Sequence, residues 1–379
     1  VFYLDRAATT PVRREVLEAM WPYLAGTFGN PSSTHEVGSA AARGLTAARA
    51  VVAAAMGCRP GEVVLTGGGT EGANTAVKGI ALATPRGRHV VTSAIEHEAV
   101  LESCRYLARF HDFAVTVLPV EPDGTVTSGA LRAALRPDTT LVSIAHADNE
   151  IGTVQDVAAL AEVAHAVGAR FHTDAVQSAS WLPVGLDVLG VDAVSVSGHK
   201  LGATKGTGAL AVRTGVPLEP LVHGGGQERG RRSGTEDVAG AVGLAAAWRS
   251  VLAGREAAAA RATAVREHVV AGVLERVPGA VLTGPRDRRL PGHASFCFPG
   301  VHGETVLLEL ERRAVVSSSG SACAAGSTEA SHVLTALGLT EDLARSAVRL
   351  TFDETLSMND AEAVVDAVAS AVDTVRMLG

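Results

Sequence analysis

Lysine is nearly absent from this chain. Among 379 residues it occurs only as Lys78, Lys200 and Lys205, and every other basic side chain apart from histidine is arginine. Any chemistry that needs a neutral amine therefore has few candidates, because arginine stays protonated and forms no Schiff base. Aromatic residues make up only 4% and alanine is frequent, so slim, closely packed helices are expected. There are four cysteines, Cys58, Cys104, Cys297 and Cys323. None forms a CxxC pair, and their spacing suggests neither a disulfide framework nor a structural zinc site, so no metal is expected. This fits a reducing cytoplasm. No apolar run approaches ~18 residues, so no transmembrane helix and no membrane partner are expected. The opening residues Val1-Phe2-Tyr3-Leu4-Asp5 read as a strand rather than a signal peptide, and no initiator Met precedes them. Positive charge is not in excess either. A net charge of −7 argues against direct binding of nucleic acid or an anionic membrane. The local runs Arg229-Gly230-Arg231-Arg232 and Arg286-Asp287-Arg288-Arg289 read as solvated or subunit-contact surface.

What is present describes an ordinary globule. Hydrophobic residues are 47% and charged residues 19%, and the length suits about two domains. Apolar strand-like runs occur at 62–66, 89–94, 114–120, 141–145, 170–173, 193–197 and 209–213. Alanine-rich amphipathic segments such as 72–83, 99–110 and 157–167 separate most of them. This alternation predicts an α/β fold with a largely parallel sheet covered by helices on both faces. A long helical stretch, 236–277, leads to a smaller α/β domain with strands at 293–298 and 347–352. The expected division is 12–254 for a large domain, and 1–11 with 255–379 for a small one. Active groups in such sheets gather beyond the carboxyl ends of the strands, where His97, Asn149, Asp174, His199 and Lys200 fall.

The chemistry is concentrated in a few segments. Ser197-Gly198-His199-Lys200 follows one strand, and Phe171-His172-Thr173-Asp174-Ala175-Val176-Gln177 ends another. Pyridoxal phosphate requires such a pair: a lysine to carry the aldehyde and an aspartate to keep the ring nitrogen protonated. The alternative for Asp174 is a cap on the following turn. Gln177 could donate to the ring hydroxyl. Gly67-Gly68-Gly69-Thr70-Glu71-Gly72 after a strand offers a phosphate site at a helix start. It also matches the GxGxxG dinucleotide pattern, but a Rossmann first unit would open the domain, and here it follows a long preceding segment. His97 could stack on a cofactor ring and exchange protons, or be a surface histidine. Asn149 and Glu150 would face the same cleft, or form a turn. Arg349 could hold a substrate carboxylate in its fork, or make a surface salt bridge. Cys323, in Ser318-Ser319-Gly320-Ser321-Ala322-Cys323, sits among small residues that suit a reactive thiol. Cys297 reads as a packing residue, and Cys58 and Cys104 as structural.

Taken together, the chain resembles the NifS/IscS-type cysteine desulfurases of the class V aminotransferase family, fold-type I pyridoxal-phosphate enzymes. The matching segments include Leu4-Asp5-Arg6-Ala7-Ala8-Thr9-Thr10, Phe28-Gly29-Asn30-Pro31-Ser32-Ser33, Gly68-Gly69-Thr70-Glu71, Asn149-Glu150-Ile151-Gly152 and Arg232-Ser233-Gly234-Thr235, with those quoted above. The resemblance implies that Lys200 carries the cofactor, and that Gly69, Thr70, Ser197 and His199 bind its phosphate, joined by Thr235 across a homodimer. It implies that His97 stacks on the ring, Asp174 meets the ring nitrogen and Gln177 the hydroxyl. Asn149 would lie beside cofactor and substrate, and Arg349 would take the carboxylate of L-cysteine. Cys323 would receive the sulfur as a persulfide for an acceptor protein, leaving L-alanine.

Several positions depart from the family pattern. Arg6 stands where Asn is usual, Asp148 replaces Asn, and Asp353-Glu354 follow Arg349 where a Gly-Arg pair is expected. The chain also ends without the tail of housekeeping members. These departures point away from a housekeeping iron–sulfur enzyme, and the chain as a whole looks most similar to the desulfurases of bacterial DNA phosphorothioation. The alternatives are a housekeeping-type iron–sulfur cluster or tRNA-thiolation desulfurase, a class V aminotransferase or lyase, and a non-catalytic interaction protein on the same fold.

Overall fold

The computed structural model describes residues 1–83, 86–320 and 330–378. A short strand β1 (Phe2–Tyr3) precedes helices α1 (Arg14–Ala25) and α2 (Glu36–Ala55). Strands and helices then alternate: β2 (Val63–Thr66), α3 (Gly69–Ala83), β3 (His89–Ser93), α4 (Glu98–His111), β4 (Ala114–Leu118), α5 (Ser128–Ala134), β5 (Thr139–Ser143), α6 (Val157–Ala166), β6 (Arg170–Asp174), α7 (Leu186–Leu189), β7 (Ala193–Ser197) and β8 (Gly208–Val212). Strands β2 to β8 form one sheet in the order β2-β8-β7-β6-β5-β3-β4. Every residue of β3, β5, β7 and β8 is buried, as a sheet covered on both faces requires. Neighbouring residues serve opposite cores: Val90 and Leu141 pack with α3 and α4, and Val91 and Val142 with α2, α6 and the helix that follows the sheet.

The sheet is parallel except at β8, which runs antiparallel to both β2 and β7. The reason is covalent: the connection from β7 to β8 spans only 198–207, too short for the helical crossover that a parallel neighbour needs. Local caps set the helix starts. The His97 side chain accepts from Ala99 N at α4, and Asp156 accepts from Ala159 N at α6.

Helix α8 (Val238–Arg276) is capped by Asp237 and runs for 39 residues. Its first half packs Leu244, Trp248 and Val251 into the large-sheet core. Its second half packs Val265, Val269 and Val273 into another core. That core lies on the three-stranded antiparallel sheet of β9 (Val281–Leu282), β10 (His293–Cys297) and, after α9 (Gly303–Arg312), β11 (Val315–Val316), α10 (His332–Ala336) and α11 (Glu341–Ala344), β12 (Ala347–Thr351). Helix α12 (Met358–Leu378) closes the chain. Strand β1 pairs in parallel with β11, and Leu4 joins the second core.

Candidate active site

Strands β2, β3, β5, β6 and β7 point the same way, so their carboxyl ends share one edge of the sheet. That edge gathers Gly69 and Thr70 after β2, His97 after β3, Asn149 after β5, Asp174 at the end of β6, and Ser197, His199 and Lys200 at and after β7. These residues come from five separate segments, and the topology brings them together.

The start of α3 is shaped to receive an anion. Gly68 has φ +140°, and a Cβ on Gly69 would lie 2.6 Å from Val176 Cγ2 and 3.3 Å from Ser197 Cβ. Only glycine lets this turn approach the ends of β6 and β7 so closely. The first N–H groups of such a 15-residue helix have no partners within it. Ser197 is buried beside them and Thr70 is exposed. His199 Nδ1 lies 3.0 Å from Thr9 Oγ1. Burial, helped by the charges of Lys200 and Lys205, pushes its pKa down to about 4, so the ring is neutral. Thr235 is exposed and lines a hollow of about 180 Å³ beside Thr66 and Gly67, not among the residues around Lys200.

Asp174 is buried, with 8% exposure. Its Oδ1 accepts from Val176 N at 2.9 Å, the turn-capping role, and its other oxygen makes no hydrogen bond among the described residues. Burial raises its pKa, while the Val176 bond and the charges of His97 and Lys200 draw it down. A carboxylate so placed calls for a cationic donor. His97 is half-buried and its Nδ1 accepts from Ala99 N at 3.0 Å, which leaves the proton of a neutral ring on Nε2. Gln177 Nε2 donates to Ala7 O at 3.0 Å. Lys200 Nζ donates to Ala7 O and, at 2.8 Å, to Ala8 O.

Arg349 makes no surface salt bridge: it is 1% exposed. Its Nη1 donates to Asn149 O at 2.9 Å and Gly320 O at 2.7 Å, and its Nη2 to Asp5 Oδ1 at 2.8 Å. Guanidinium has five N–H donors. Those bonds occupy three of them, and Nε is buried with no partner among the described residues. A buried N–H left without an acceptor is costly, so a ligand carboxylate suits it. The Asp5 contact escaped the sequence reading. Its only signal there was an Asp-Arg pair set in an otherwise neutral opening segment.

Two further buried groups surround this edge. Glu96 accepts from Ser93 Oγ and Ala145 N, yet burial pushes its pKa up to about 8. Asp148, a departure noted in the sequence, accepts from Glu150 N and Ile151 N through Oδ1, and its Oδ2 is buried without a partner among the described residues. Burial raises its pKa above the unfolded value. The folded state thus holds the proton more tightly, and stability is lost as pH rises through the unfolded pKa toward the folded one. Asp148→Asn is expected to gain about 1–3 kcal/mol at pH 8 and little at pH 4, read as paired thermal melts. A loss of stability at pH 8 would show that the charge is served.

Cys58, Cys104 and Cys297 all have their thiol pKa pushed up to about 12, mainly by burial, and Cys104 and Cys297 are fully enclosed. Cys323 lies outside the described residues, three positions after Gly320.

An amine, a buried carboxylate with a vacant oxygen and a glycine-shaped anion cradle fit pyridoxal phosphate. A family model described as aminotransferase class-V matches residues 2–364. A cysteine desulfurase IscS from Dictyoglomus turgidum is 42% identical, the match covering 99% of this chain and 95% of that protein. A solved NifS-like protein superposes with a TM-score of 0.91 at 34% identity, covering 98% of this chain and 99% of the other. DndA from Streptomyces lividans superposes with a TM-score of 0.78 at 37% identity, covering 92% and 99%.

Proposed function

The chain belongs to the class V aminotransferase family and is a pyridoxal-phosphate-dependent cysteine desulfurase, in which we propose that Lys200 moves the proton and Cys323 takes the sulfur. The observation that carries this reading is the placement of Lys200 and Asp174 at the ends of adjacent strands, beside the glycine-shaped start of α3.

In this reading Gly69, Thr70, Ser197 and neutral His199 would hold the cofactor phosphate, and Thr235 would complete that site in a homodimer. Asp174 would meet the ring nitrogen, Gln177 the ring hydroxyl and His97 the ring face. When bound, pyridoxal phosphate supplies an electron sink for the substrate Cα. Arg349, with Asn149 beside it, takes the carboxylate of L-cysteine through the N–H groups left free. Lys200 accepts the Cα proton, and such positioned acid–base help is worth roughly 10²–10⁴-fold. The Cys323 thiolate forms an S–S bond with the substrate sulfur as the substrate C–S bond breaks. The electron pair passes to the carbon side, which takes up protons and leaves as L-alanine. One thiol and one cysteine thus become one persulfide and one alanine, with no outside oxidant. The thiols of Cys58, Cys104 and Cys297 are held protonated, which favours Cys323 as nucleophile.

Cys323→Ser is expected to keep its visible absorbance and its spectral response to cysteine, while alanine release coupled to sulfide falls to background. Unchanged sulfide release would remove Cys323 from the reaction. For the acceptor we favour a DNA phosphorothioation system, supported by the likeness to DndA. Cells lacking the gene should lose phosphorothioate from their DNA. Unchanged DNA sulfur with failing iron–sulfur enzymes would point to the other acceptor class.

A further inference from the structure

Residues 4–10 form a strap across the Lys200 turn, tied at both ends. At one end Leu4 O accepts from Thr351 N at 2.8 Å, Arg6 N donates to Thr351 O at 3.1 Å, and Ala7 N donates to Thr351 Oγ1 at 2.8 Å. At the other, Thr10 N and Oγ1 donate to His199 O at 3.2 and 2.7 Å. Between the ties, the carbonyls of Ala7 and Ala8 receive Lys200 Nζ. Arg6, Lys200 and Asp353 line one cavity of about 230 Å³ beside the strap.

Two of the departures from the family pattern meet here. Arg6 Nη2 lies 2.8 Å from Asp353 Oδ2, with side-chain exposures of only 23% and 26%. The guanidinium also sits 5.7 Å from the Tyr3 ring centroid. Beside it, Asp5 pairs with Arg349. Consecutive strap residues of opposite sign are thus bound to partners of opposite sign on and just after β12. The negative charge that Asp353 brings to this region is matched by the positive charge that Arg6 brings, and a half-shielded pair holds its geometry better than a fully solvated one.

We propose that Arg6 is a positioning residue for Lys200: its ion pair with Asp353 fixes the strap so that the Ala7 and Ala8 carbonyls receive the lysine amine whenever it is not joined to the cofactor. The inference rests on the role given to Lys200 above. An amine that must leave the cofactor, hold a proton and return needs acceptors at a fixed place. Here those acceptors are backbone atoms, so their place is set by whatever holds the strap. Small displacements of a reacting group can cost as much as about 10²-fold in rate.

The test uses full-length, cofactor-loaded protein. Arg6→Ala and Asp353→Asn are each expected to lower kcat about tenfold with KM for L-cysteine within about twofold. Both should slow, in parallel, the recapture of pyridoxal phosphate after stripping, followed by visible absorbance. Arg6→Lys should recover most of both readouts. So should the reversed pair, Arg6→Asp with Asp353→Arg. The proposal is overturned if Arg6→Ala keeps wild-type kcat and recapture, if KM rises while kcat holds, or if neither rescue variant recovers. Lys200→Ala separates the two levels of the argument. Wild-type alanine formation in that variant would sink the role of Lys200 and this inference with it. Its loss there, with wild-type behaviour of Arg6→Ala, would sink this inference alone.

Discussion

Lys200→Ala is expected to lower cysteine-dependent alanine formation by at least about 10²–10⁴-fold, the range for loss of a positioned acid–base group. Borohydride should fix pyridoxal phosphate to the wild-type chain at one peptide and to the variant at none. The scarcity of lysine makes this experiment clean, because only Lys78 and Lys205 could substitute. Lys78 is engaged elsewhere: its Nζ donates to Asn74 Oδ1 at 2.6 Å and lies 4.4 Å from the Tyr106 ring centroid. Lys205 is close enough to His199 to influence its charge, so it is the informative control. Cofactor trapped on Lys205 in the wild-type protein would overturn the assignment.

The second large effect concerns stability. Arg49 and Glu228 form a bidentate pair, with Nη1 to Oε2 and Nη2 to Oε1 both at 2.6 Å and the residues 8% and 5% exposed. Nη1 also donates to Val63 O at 3.1 Å, and Glu228 Oε2 accepts from Leu65 N at 3.1 Å. The pair thereby satisfies the open edge of β2, the end strand of the large sheet. Glu228 adopts φ +49° to reach it. Removing either partner leaves a buried charge and one unserved strand group, Val63 O without Arg49 or Leu65 N without Glu228. Arg49→Ala or Glu228→Ala should therefore cost about 3–5 kcal/mol in chemical denaturation, whereas replacing both with apolar residues of similar volume should cost far less. A loss under about 1 kcal/mol for Arg49→Ala would mean that the pair is effectively solvated.

Much of the architecture was legible in the sequence because β3, β5, β6, β7 and β8 are apolar runs with no competing pattern. Helices α1 and α2 drew no prediction. The buried side of α2 is Ala41, Leu45, Ala48 and Val52, and alanine gives little contrast between faces. The reversed direction of β8 was implicit in the short link before it, although periodicity carries no direction. The residues about the sheet edge could be named because each follows a strand. What they touch could not. Arg349 reads as substrate fork or surface pair in one dimension, and only folding reveals Asp5, at the far end of the chain, already bound to it. Likewise, the positive and negative departures at Arg6 and Asp353 read separately as anomalies, and in space they answer one another.

Helix α8 belongs to both cores, and at 1.5 Å per residue its 39 residues reach about 58 Å. It acts as a beam clamped at each end: Val251 is the last large-core contact and Val265 begins the next core. On the span between them stands Gly254, exposed, with nothing within 4 Å of where a Cβ would be. Glycine favours the helix least, so any swing of one sheet against the other is expected to bend the beam there. The two halves of the molecule are joined by a stiff member whose glycine at 254 lines the same cavity as Arg6, Lys200 and Asp353.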